Sequence, residues 1–165
     1  MLKLSFISLL FISSLVNAEE TRHANAHVHG LNNLTMVLSQ NQIAITYEMP
    51  IIQLYEEHEE HEELAIKNES LKAFENHLQL FEFPIGAECE LSSFKSELHN
   101  VSTEGDHKDI ELSYEFYCNE PNLLNGIQIN AFNRFDDLQM VNFDAIINNQ
   151  VFIKSFNSLE SKITF

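Results

Sequence analysis

His27 and His29 lie two residues apart in the run Ala26-His27-Val28-His29-Gly30. On an extended chain both imidazoles project to the same side. A second pair, His58 and His61, is embedded in the acidic stretch from Glu56 to Glu63. On a helix these two share one face, with Glu57 and Glu62 adjoining. His99 and His107 bracket a third short segment, and His77 stands alone among the eight histidines. Neutral imidazole nitrogen and carboxylate oxygen are ligands for zinc and other late first-row divalent ions, usually in a tetrahedral set of four. Each pair supplies half of such a set, so a closed site needs ligands from separate parts of the chain. Each candidate also has a plainer reading. His27 and His29 then are polar residues at a strand entrance, the Glu/His run is a solvated face, and His99 and His107 are loop residues.

The elements that would bring these groups together are readable from periodicity. Leu34, Met36 and Leu38 alternate with Thr35, Val37 and Ser39, and Ile43, Ile45, Tyr47 and Met49 repeat the pattern after Gln40-Asn41-Gln42. Two such runs across a short polar break predict a β-hairpin that Pro50 terminates. Leu71, Phe74, Leu78 and Phe81 fall three and four apart, predicting an amphipathic helix with Asn68 as N-cap, Glu69 in the first turn, and Pro84 and Gly86 as its stop. A second hairpin is predicted from Cys89 towards Glu97 and back along Ile110, Leu112, Tyr114, Phe116 and Cys118. If the two cysteines oppose one another directly, His99 lies beside the position facing His107. Further strands are expected over 126–132, 139–147 and 150–156, with Asn148-Asn149 as a turn and a short edge at 162–165. These readings predict a single α+β domain of antiparallel β-hairpins with one main amphipathic helix and one disulfide.

Bulk properties narrow the function. Residues 1–18 hold Lys3, an apolar run from Leu4 to Val16 and small residues at Val16-Asn17-Ala18, the form of a secretory signal peptide. The run is too short to span a bilayer comfortably, so no stable membrane insertion is expected after cleavage. The mature domain is expected over 19–165. The formal charge is −16, and Lys3 is the only charge of the leader, leaving −17 on the mature chain. Such a surface repels nucleic acid and anionic membranes and concentrates cations. Cys89 and Cys118 are the only cysteines. In an oxidising compartment they favour one disulfide over a thiolate zinc site.

The order of these features resembles a known family. Ala26-His27-Val28-His29-Gly30 precedes a strand, Tyr55-Glu56-Glu57-His58 follows the next, and Pro84 closes the predicted helix. Cys89, the strand pair ending on Tyr114-Glu115-Phe116-Tyr117-Cys118, and Phe132-Asn133-Arg134-Phe135 complete the pattern. Over roughly 22–156 the chain resembles the ZrgA-type periplasmic zinc-binding proteins of Gram-negative bacteria, which act in zinc uptake. The resemblance implies a periplasmic zinc chaperone or reservoir working beside a zinc import system. By position, His27 and His29 match the family's entrance motif, Glu57 and His58 its acidic-histidine pair, and the cysteines its disulfide. The segment from His99 to His107 is short where relatives often carry a long histidine-rich insert.

The expected metal ligands are therefore His27, His29, Glu57, His58, His61, His99 and His107, with zinc as the cargo and other divalent transition metals as competitors. Two other classes compete. A small metalloenzyme would use the His-x-His pair with an open coordination position, but no nucleophile elbow or phosphate loop accompanies it. An envelope interaction module would leave the histidines incidental.

Overall fold

The structure, a computed structural model, describes residues 30–54, 71–100 and 108–165, with only the backbone described at 52, 98–100 and 108. Among the described residues nine strands form two sheets. Strands β1 (Leu31–Ser39), β2 (Gln42–Pro50), β4 (Cys89–Asn100), β5 (Lys108–Cys118), β7 (Met140–Ile147) and β8 (Gln150–Phe156) make a six-stranded sheet in the order β4-β5-β2-β1-β7-β8. Strands β3 (Phe81–Glu82), β6 (Gly126–Ile129) and β9 (Lys162–Thr164) make a smaller one in the order β3-β6-β9.

Strict alternation builds the large sheet. Leu34, Met36 and Leu38 on β1, Ile43, Ile45 and Tyr47 on β2, Leu112, Tyr114 and Phe116 on β5, and Val141, Phe143 and Ala145 on β7 are all buried on one face. The small sheet and its flanking turns cover that face. Phe81 meets Tyr114 edge to face at 5.3 Å between ring centroids, and Phe83 meets Phe116 at 5.1 Å. Such perpendicular pairs add to the burial of two large rings. Both expected hairpins form, with Leu34 opposite Tyr47 and Cys89 opposite Cys118. The Asn148-Asn149 turn also forms, both residues taking positive φ (51° and 65°) as a tight primed turn requires.

The expected α+β class does not hold. The fold is mainly β, and among the described residues α-helical backbone is confined to Leu71 and Lys72. Where the amphipathic helix was expected, two short 3₁₀ turns, Ala73–Glu75 and His77–Gln79, are separated by Asn76 at φ −77°, ψ 84°. The carbonyls that an α-helix would use are taken by other parts of the molecule. Tyr114 Oη donates to the Phe74 carbonyl at 2.8 Å, and Asn130 Nδ2 donates to the Leu78 carbonyl at 3.0 Å. The N–H groups of Asn130 and Ala131 both donate to the Leu80 carbonyl. Leu71, Phe74 and Phe81 are buried as expected, but Leu78 is exposed and Leu80 takes its place. Apolar spacing of three and four suited a helix, and tertiary hydrogen bonds outweighed that preference. Asn68 and Glu69, the expected cap, lie outside the described residues.

Two further points differ from expectation. The join of β1 to β7 is parallel, Leu34 lying beside Phe143, so the sheet is mixed. In the β4–β5 hairpin a bulge between Leu91 and Ser93 shifts the register by one residue. His99 consequently pairs with Asp109, one position beyond the place that direct counting from the cysteines predicts.

Candidate functional site

Strand directions determine where the expected ligands enter. β1 starts beside the end of β2, since Asn33 pairs with Glu48 and the two strands run antiparallel. Pro50 at the end of β2 pairs with Asp109 near the start of β5, and Asp109 pairs with His99 near the end of β4. The start of β1, the end of β2, the start of β5 and the end of β4 therefore occupy one end of four adjacent strands. At a strand spacing of about 4.8 Å these four chain ends span roughly 15 Å.

In sequence, each expected metal ligand lies on or next to a segment that enters or leaves the sheet at this end. His27 and His29 immediately precede Gly30, where β1 begins. Glu57, His58 and His61 follow the 3₁₀ turn Ile51–Leu54 that leaves β2. His99 is the penultimate residue of β4, and His107 directly precedes β5. His27, His29, Glu57, His58, His61 and His107 themselves lie outside the described residues, as does the expected leader 1–18. Of His99 the backbone is described, at its place opposite Asp109. Among the described residues no three histidine, cysteine or carboxylate side chains come close enough together to hold a metal ion.

Gly30 shapes the entrance to β1. Its φ is +78°, and a Cβ there would lie 2.6 Å from the Asp137 carbonyl oxygen. The Gly30 carbonyl in turn accepts the N–H groups of Gln139 and Met140. The chain thus passes from the His-x-His segment into the sheet through a position that only glycine occupies without strain.

The same end holds buried polar groups that the sequence reading passed over. Asn32 is fully buried on the inner face; its Nδ2 donates to Tyr47 Oη at 2.8 Å, while its Oδ1 has no partner among the described residues. Both polar atoms of the Gln53 side chain are also buried and have no partner among the described residues. Burial pushes the Tyr47 hydroxyl far above its ordinary range, partly offset by the Asn32 hydrogen bond, so it stays protonated. The signal for Asn32 was present in the chain, because it shares the alternating phase of Leu34, Met36 and Leu38.

His77 is elsewhere. It packs edge-on against Phe116 at 4.8 Å, and burial lowers its pKa against the opposing pull of Glu82. This is a boundary histidine of the core. The disulfide joins Cys89 to Cys118 at the other end of the β4–β5 hairpin, about 30 Å from the ligand-bearing end at 3.3 Å per residue.

This is a mixed β domain with one disulfide clamp. The family model of the ZrgA family zinc uptake proteins matches residues 26–165, and the chain belongs to that family. No curated protein matches it.

Proposed function

We propose that this protein is an exported, periplasmic zinc binder that acts as a chaperone or reservoir in zinc uptake, and that it carries the metal as cargo without transforming it. The observation that carries this reading is topological. Three segments far apart in the chain, each bearing histidine, leave adjacent strands at one end of one sheet. Half-sets of ligands from separate segments are what a closed tetrahedral site requires. His27 and His29 would supply one half, and His58, His61 and Glu57 the other, with His99 and His107 as a neighbouring pair.

The orphaned atoms at this end support the reading. Metal-bound imidazole commonly donates its second ring N–H to a carbonyl or carboxylate oxygen, which sets its tautomer and orientation. Asn32 Oδ1 and Gln53 Oε1 are buried acceptors of that kind without a partner among the described residues. The strongly acidic surface raises the local concentration of divalent cations and favours their capture. A zinc import system is the partner that would receive the metal.

Equilibrium dialysis of the purified, oxidised protein against micromolar zinc tests the proposal. The expected result is stoichiometric binding that falls by at least about tenfold in affinity in the His27→Ala/His29→Ala protein, and that weakens below about pH 6.5 as imidazoles protonate. Binding unchanged by that substitution would move the site to Glu57, His58 and His61. No uptake of zinc by the intact protein would end the proposal.

A further inference from the structure

The outward face of the six-stranded sheet is divided in character. On β4, β5 and β2, Glu97, Glu111 and Glu48 are directly aligned across three strands, and Glu115 stands two rows on, beyond the row of Lys95, Ser113 and Thr46. On β1, β7 and β8 the alignment is Val37, Ile146 and Val151 in one row, and Thr35, Asp144 and Ile153 in the next. A neutral row follows, in which Ser155 Oγ donates to Asn142 Oδ1 and Asn142 Nδ2 donates to Asn33 Oδ1. Val151 and Ile153 are 70% and 77% exposed, far beyond what isolated surface apolar residues in a sheet need to be.

β8 is also the last strand of the sheet. Among the described residues, Gln150–Phe156 makes no backbone hydrogen bonds besides its ladder to β7. Sheet edges are normally protected by an exposed lysine, a proline, a bulge or a covering loop. β8 contains no proline and pairs with β7 in unbroken register. Its one lysine is drawn away, Lys154 Nζ lying 2.6 Å from Glu160 Oε1 and over the Phe156 ring. An apolar strand rich in β-formers thus presents an open ladder.

We propose that β8 pairs edge to edge with β8 of a second copy, antiparallel about a two-fold axis, making one continuous sheet from the two six-stranded ones. The occupant follows from charge. Two chains of net charge −16 repel wherever carboxylates face carboxylates. The outward side of β7 and β8 carries a single carboxylate, Asp144, on the strand behind the edge. An axis through Phe152 sets Val151 of each copy against Ile153 of the other, the two Phe152 rings against each other, and Lys154 against Gln150. Apolar residues then meet apolar residues and no charge opposes its like, as a self-complementary isologous contact requires. A single pairing of this length lies near the lower limit of specific interfaces, about 1,200 Å² in total, so the dimer is expected to dissociate in the micromolar range. The contact uses none of the proposed metal ligands and lies two strands beyond β1, so assembly is expected to be independent of zinc.

Sedimentation velocity on the intact purified protein from about 1 to 100 µM, with and without chelator, reads the proposal. Expected is a rise from the mass of one chain towards that of two, equal in both conditions. Ile153→Lys should weaken the association by at least about tenfold. Leu159→Lys, at a site 97% exposed outside the strand, should leave it unchanged. Ile153→Thr, which keeps a β-branched residue, provides a second reading if the lysine variant melts differently from the parent. A monomer throughout this range would overturn the proposal and assign the edge to a different protein. A dimer indifferent to both Ile153 variants would overturn it too. Loss of zinc binding with dimerisation intact would sink only the metal reading.

Discussion

Buried polar atoms carry the sharpest residue-scale expectations. Asn32 and Tyr47 satisfy one another through a single hydrogen bond, and Asn32 Oδ1 is left over. Removing one partner strands the other, at a cost of about 1–3 kcal/mol, whereas replacing both by apolar groups of like shape is close to neutral. Tyr47→Phe should therefore lower the stability of the metal-free protein, and Asn32→Leu combined with it should restore most of the loss, as measured by urea denaturation. If the double variant is weaker than the single by a full additive step, the carbonyl is not orphaned. His77 gives a pH signature. Its folded pKa lies below the ordinary value near 6.5 because burial disfavours the imidazolium. The unfolded chain then binds the proton more readily, so stability from this group is complete above about pH 6.5 and is lost as pH falls through the lower folded value. With chelator present, the parent should lose more thermal stability between about pH 7.5 and pH 5 than His77→Phe, which keeps the ring against Phe116. Equal losses would show that another group titrates.

At the scale of elements, the hairpins obeyed local rules and the helix did not. Period-two alternation over β1, β2, β5 and β7 needs only one buried face, and every one of those strands has it. The stretch from Leu71 to Phe81 offered a good helical spacing, yet its carbonyls at Phe74, Leu78 and Leu80 bond to Tyr114, Asn130 and Ala131. Those partners lie some 40 to 50 residues away in the chain, so no local pattern announces them. The disulfide is an element-scale clamp across a sequence separation of 29. Cross-linking a loop of that size restricts the unfolded chain and contributes about 3–4 kcal/mol. Cys89→Ser/Cys118→Ser should accordingly lower the unfolding free energy by that order while leaving zinc affinity within about threefold, because the clamp is at the far end of the hairpin from the ligand segments. A collapse of zinc binding in a variant that still folds would mean that the clamp sets the geometry of the metal end.

Across the whole molecule the work is divided by direction. At one end of the large sheet lie the start of β1, the end of β2, the end of β4 and the start of β5; the other end carries the disulfide, one edge is acidic, and the opposite edge is apolar and, among the described residues, open. Charge, cysteine pairing and strand positions were legible from the chain, since each follows from residue type and short-range spacing. The bulge at Leu91/Ser93, the parallel β1–β7 join and the dissolved helix were not, because each depends on which distant group satisfies a backbone donor or acceptor. The same holds for the site. Sequence named seven candidate ligands and required separate segments to meet without saying how; strand direction placed the described ends of those segments side by side, since antiparallel neighbours return the chain to the end from which it came.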